Sequence, residues 1–170
     1  SSYPTLGCVA QFGESDMAFV RRLAEHWGIS FAYETRNDEA FWIITDDPNA
    51  LPAIAGDTLR YRDSGLRKGV TRLRRRTSQV PKTVVLHNYN HERPAQAMSA
   101  TRTVAGGAES GRIIDYGVNF RGSDDDGAFL ARIRADERDA RRTVYEGEAN
   151  SVLLEAGHLF TLDDHPSWSG

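Results

Sequence analysis

Hydrophobic and polar positions are patterned most clearly between Phe12 and Thr35, FGESDMAFVRRLAEHWGISFAYET. Phe19, Val20, Leu23, Ala24 and Trp27 recur at helical spacing and form one apolar stripe. Arg21, Arg22 and Glu25 fall on the opposite side, with His26 at the border. Ser15 stands where its hydroxyl oxygen can accept from the orphan N–H groups of a helix start. Glu14 and Asp16 bring negative charge to the positive end of the helix dipole. Gly28 follows the last periodic residue and can take the left-handed conformation that ends a helix. Ile29, Phe31 and Tyr33 then alternate with Ser30, Ala32 and Glu34, as in a strand with one buried face. A helix this short is marginal alone in water, so it must lie on an apolar surface.

The remaining pattern predicts mostly strands. Cys8 to Phe12 reads as an apolar strand ahead of the helix, with Cys8 as a small core residue. Phe41 to Thr45 pairs with the Ile29–Tyr33 strand across the polar turn Arg36-Asn37-Asp38-Glu39. Asp46-Asp47-Pro48-Asn49 breaks that hairpin by turn chemistry. A loop from Ala50 to Gly65 holds a short strand near Thr58 to Arg62. Further strands are predicted at Gly69–Thr77, Lys82–Asn90, Met98–Val104, Ile113–Phe120, Thr143–Asn150 and His158–Leu162. Gly117 suggests a bend or bulge in the fourth of these, and Ala105 to Ala108 a flexible turn. A second helix starts near Ser123 to Asp126, with Phe129, Leu130, Ile133 and Ala140 on one face and Arg132, Arg138 and Asp139 facing away. Glu137 projects toward the apolar side, where a nearby arginine would pair with it.

These elements amount to an α+β chain that is mainly β. With 170 residues it fits one domain, or two small subdomains sharing a core at approximately residues 1–66 and 67–170. Its hydrophobic share of 39% and charged share of 26% are ordinary for a globular chain. A formal net charge of −3 argues against a globally basic nucleic-acid binder. No apolar run reaches membrane-spanning length and no signal pattern opens the sequence, so no membrane insertion is expected. The single cysteine excludes an internal disulfide and fits folding in a reducing compartment.

Candidate chemistry is thin. His87 and His91, with Glu92 beside them, have a spacing that could bind zinc on a helix, but His87 lies in a β-rich run. His158 after Gly157 suits a turn-side hydrogen bond, and no G-x-S-x-G accompanies it or His165. Asp46 with Asp47, or Asp163 with Asp164, could supply acid–base carboxylates for a small hydrolase. The one compositional oddity is the run Arg60, Arg62, Arg67, Lys68, Arg72, Arg74, Arg75 and Arg76, opposed within its span only by Asp63. It suits a nucleic-acid patch, although Tyr61 is the sole aromatic there able to stack on bases. It better suits a contact with the acidic block Asp124 to Asp126, within the chain or across subunits, with a solvated face as the blandest alternative.

A set of short motifs in fixed order adds a family resemblance. Gln11-Phe12, Glu14-Ser15-Asp16, Phe19, Arg22-Leu23 and Gly28-Ile29 stand in line ahead of Asp46-Asp47-Pro48. Arg74-Arg75-Arg76, the strand Thr83 to Leu86, Asn88-Tyr89-Asn90 and Pro94 come next. Phe129 to Arg134, then Leu154-Glu155-Ala156-Gly157-His158-Leu159-Phe160-Thr161-Leu162 and His165-Pro166, complete the series. The chain thereby resembles the VgrG family, the spike proteins of type VI secretion systems, which are similar to the baseplate hub of tailed phages. Asn88 and Ala156 stand where the family pattern has aspartate and proline. The resemblance implies a barrel-like curved antiparallel sheet with two amphipathic helices packed on it. It implies an internal, non-catalytic fragment of a trimeric hub that sits on the Hcp tube, with no cofactor, no metal and no nucleic acid. In that picture Arg72, Arg74, Arg75 and Arg76 are candidates for a subunit interface. The protein would be made in the bacterial cytoplasm and secreted through the type VI apparatus.

Overall fold

A computed structural model describes residues 3–4, 8–62, 68–91, 94–120 and 124–168. Among the described residues two α-helices, α1 (Asp16–His26) and α2 (Asp124–Ala140), accompany nine strands. These are β1 (Ser30–Arg36), β2 (Glu39–Thr45), β3 (Ala53–Arg60), β4 (Val70–Thr77), β5 (Thr83–Asn88), β6 (Met98–Thr103), β7 (Arg112–Tyr116), β8 (Thr143–Ala149) and β9 (Leu159–Asp163). The chain divides into two compact units, each made of two separate stretches. Residues 1–28 and 76–144 form the first, and 29–75 with 145–170 the second.

In the first unit β5 is central, antiparallel to β6 on one side and parallel to β7 on the other. Its alternation places Val84 and Leu86 on a fully buried face. Helix α2 lies across β5 and β6, and its Leu130 and Ala131 are also fully buried. Ala135 continues the buried stripe one turn on, whereas Ala140, expected on that face, is exposed. Helix α1 starts as its sequence predicts: Ser15 Oγ accepts from the Ala18 N–H at 3.3 Å. Its stripe is only partly covered, with Ala24 and Trp27 buried and Val20 exposed. Gly28 does end it in the left-handed region, at φ +69°. A Cβ there would come within 2.9 Å of Ile133 Cγ2, so the end of α1 abuts α2. Trp27 and Phe129 ring centroids lie 6.0 Å apart across the same contact.

The residues before α1 depart from expectation. Cys8 to Phe12 is not a strand, and Cys8 is exposed rather than in the core. Side-chain bonds to the helix start hold this segment instead of a sheet ladder. Arg22 donates to the Ala10 carbonyl at 3.2 Å, and Gln11 Nε2 donates to Asp16 Oδ1 at 2.8 Å.

In the second unit β1 and β2 form the predicted hairpin, with Tyr33 opposite Trp42. Strand β1 has no single buried face: Phe31, Ala32 and Glu34 are all half-buried. Ala32 packs against Gly157 and Glu34 approaches His158, which leaves Tyr33 48% exposed. Strand β3 pairs in parallel with β9, and β4 pairs with β8. At the end of β3 the Tyr61 N–H donates to the Asp163 carbonyl and the Arg62 N–H to the Val70 carbonyl, at 2.8 and 2.7 Å. Ile54, Leu59 and Val70 form a small core beneath Tyr61, Leu73 and Leu162.

The architecture is therefore α+β and mainly β with two helices, as expected. Among the described residues the ladders do not close into a barrel: three hold two strands each and one holds three. Nor is the pairing wholly antiparallel, because β3–β9 and β5–β7 run in parallel. A parallel neighbour needs a long crossover, and β6 with the loop after it supplies one between β5 and β7.

Candidate interaction surface

Strand β4, VTRLRRRT, alternates poorly because its second half is nearly all arginine. Arg72, Arg74, Arg75 and Arg76 are exposed, while Val70 is buried and Leu73 half-buried. Part of the basic run is neutralised by acids far along the chain. Arg72 reaches Glu148 Oε1 at 3.3 Å, and Arg62 and Arg60 reach Asp164 Oδ2 at 3.1 and 3.9 Å. Such exposed pairs contribute at most about 1 kcal/mol each, but they remove free positive charge. Arg67, Asp63 and Glu92 lie outside the described residues. The side chains of Asp124 and Asp125 do too, so the contact expected between that block and the arginines finds no description here.

Beside β4 the second unit opens into an apolar groove of about 890 Å³. Leu73, Tyr145, Leu154, Phe160, Leu162 and Trp168 supply its walls. An aromatic chain borders it: Tyr61 meets His165 at 4.4 Å, His165 stacks on Trp168 at 4.5 Å, and Trp168 meets Tyr145 at 5.9 Å. The Arg75 guanidinium sits 5.7 Å from the Trp168 ring centroid, a cation–π contact that ties the basic strand to the groove. Sequence reasoning missed this cluster. Tyr61 and His165 are about a hundred residues apart, and no local periodicity announces such a contact.

The remaining candidate residues do not converge. His87 is half-buried in β5 opposite Ser99 and Tyr116, and His91 is exposed beyond the strand end. No group of three or more His, Cys, Asp or Glu side chains able to hold a metal occurs among the described residues. Asp47 accepts from the Asn49 N–H at 2.9 Å and caps a short 3-10 turn, which is turn chemistry. Glu137 is paired with Arg141 at 2.7 Å and Arg134 at 3.5 Å, the predicted satisfaction of a carboxylate near an apolar face. His158 Nδ1 donates to the Ala156 carbonyl at 3.3 Å, the turn-side bond its position suggested.

The Glu14 and Glu34 carboxyls and the His26 imidazole are shifted from their ordinary values, each for a structural cause. The hydrogen bond from Arg22 holds the Glu14 carboxyl below the usual range. The Arg36 hydrogen bond does the same to Glu34, with smaller help from the charges of Arg36 and His158. Burial pushes His26 down, and the nearby Arg134 charge adds to the effect. None lies in the groove.

A profile of the phage tail baseplate hub (GPD) family matches residues 1–169. The chain belongs to this hub family. Curated relatives place it near VgrG proteins. The type VI secretion system spike protein VgrG5 of Pseudomonas aeruginosa is 30% identical over 173 residues, covering 96% of this chain. VgrG4b of the same organism is 29% identical over 173 residues, again covering 96% of this chain. The actin cross-linking toxin VgrG1 of Vibrio cholerae is 30% identical over 171 residues, covering 93% of this chain and 15% of its own length. The hub-family chain spans 21% of the length of each Pseudomonas protein. The VgrG resemblance read from the ordered motifs is borne out. No helix among the described residues of this hub-family chain is long and apolar enough to cross a membrane.

Proposed function

We propose that the chain is a structural, non-catalytic module of a type VI secretion spike, part of a trimeric hub that sits on the Hcp tube. The observation that carries this reading is likeness to spike proteins along 96% of the chain. A module that acts by contact must present surface, and the exposed arginines of β4 beside an apolar groove do so. Arg72, Arg74, Arg75 and Arg76 form the edge that meets a neighbouring subunit, and acidic side chains such as Asp126 answer them there. The reading asks for no cofactor, no nucleic acid and no membrane insertion. It has the protein made in the bacterial cytoplasm and exported through the type VI apparatus.

Light scattering on the whole gene product tests the assembly. A trimer that retains Hcp on a column is expected. Replacing the four arginines with glutamate should return it to monomers with unchanged secondary structure. A wild-type protein that stays monomeric and ignores Hcp would sink the proposal. Affinity for DNA that falls steeply with salt would instead favour nucleic-acid binding.

A further inference from the structure

The turn that follows β9 is tied by an imidazole. His165 Nδ1 lies 3.1 Å from the backbone nitrogens of both Ser167 and Trp168. Backbone N–H groups can only donate, so Nδ1 accepts twice and carries no proton, and the ring proton sits on Nε2. An Asn or Asp side chain plays this part in an Asx turn. Here the part is taken by an imidazole, a side chain whose ring nitrogen can instead bind a proton. The same ring lies flat on Trp168, with planes 10° apart, and meets Tyr61 edge-on. Trp168 in turn is a wall of the groove. One imidazole therefore closes the turn and seats the wall.

We propose that His165 is an acid-sensitive latch on the groove: neutral, it holds Trp168 in the wall; protonated at Nδ1, it lets the turn go and the groove opens. Protonation sets a third N–H against two donors, and both acceptor bonds fail together. Attraction between a stacked imidazolium and Trp168 opposes release, but it is the smaller effect at a half-exposed site. The surrounding charges are already engaged. Asp164 pairs with Arg62 and Arg60, and its N–H donates to Asp163. Tyr61 packs on the ring from the end of β3, while Arg75 from β4 and Tyr145 from β8 pack on Trp168. Glu148, on the groove wall, is held by Arg72.

Proton–nitrogen correlation spectroscopy on the intact 170-residue chain reads both ends of the latch. The imidazole of His165 and the indole N–H of Trp168 are followed from about pH 8 to about pH 5, the range in which imidazoles charge. H165N and W168F supply the assignments. At neutral pH the His165 proton should be on Nε2. The Trp168 signal should move to its unfolded position in the same step that protonates His165. H165N keeps an oxygen that can accept both N–H groups but does not titrate, so Trp168 should stay seated and the step should vanish. H165L fills the space without accepting and should free Trp168 at every pH. A proton on Nδ1 at neutral pH would overturn the latch. So would a Trp168 signal that ignores the protonation, or a step that survives in H165N. Should H165L fail to fold, the wild-type tautomer and the H165N titration still decide.

Discussion

Replacing Gly28 with alanine isolates two costs that the end of α1 combines. The φ of +69° is left-handed, and an L side chain there costs roughly 1–2 kcal/mol. The new Cβ would also stand 2.9 Å from Ile133 Cγ2 and 3.3 Å from Cγ1. Those atoms belong to a branched side chain on a packed helix, so relief requires movement of α2, and overpacking of this kind costs roughly 1–3 kcal/mol. Alanine also stiffens the unfolded chain, which returns about 0.4–1 kcal/mol. The net loss expected for Gly28→Ala is about 1–4 kcal/mol. Urea unfolding followed by circular dichroism measures it. The decisive comparison is the same substitution in an Ile133→Ala background. There the steric share disappears and the backbone share less the unfolded-chain gain, about 0–1.6 kcal/mol, remains, a coupling of about 1–3 kcal/mol between the sites. Equal costs in the two backgrounds would mean that α1 does not meet α2 as described. A stability unchanged by Gly28→Ala would refute both parts.

Three further substitutions probe separate links. Leu130→Ala removes a fully buried side chain between α2 and the sheet and should lower unfolding stability by about 2–5 kcal/mol, read from urea curves; a loss under 1 would contradict that burial. Ser15→Ala deletes an exposed cap and should cost about 0.5–2 kcal/mol in the same assay, with Ser15→Asn close to wild type. His26 binds its proton less readily folded than unfolded, so stability should decline as pH falls below the ordinary value of 6.5. His26→Gln should flatten that decline, and parallel pH curves for the two proteins would rule out the assignment.

What the sequence made legible was local. Ser15, Gly28 and the β1–β2 turn are written within a few residues of where they act, and each stands as read. Asp47 and Glu137 were legible for the same reason, since their partners are two to four residues away. The failures share the opposite property. Cys8 to Phe12 looks like a strand by composition, but its polar groups are taken up by α1 side chains, and no ladder forms. The alternation of β1 predicted one buried face, yet the Gly157–His158 turn also lies against Ala32 and Glu34, and the pattern of a hairpin cannot foresee that. Arg60 and Arg62 looked unopposed because Asp164 lies 102 residues beyond Arg62. The groove and its aromatic border were invisible for the same cause: a contact between distant residues leaves no period in the chain.

Strand β3 cannot be completed until β9 has been made, and β9 begins about a hundred residues later. At about 5–20 residues per second of synthesis, the earlier strand waits roughly 5–20 s with an open edge. The first unit is fully synthesised at residue 144, whereas the second, begun at residue 29, still awaits residues 145–170. A message cut short after α2 would yield hairpins in want of partners, and such edges are what chaperones bind and aggregates recruit. Translation must therefore pass β9 before any of the second unit's parallel ladder can exist.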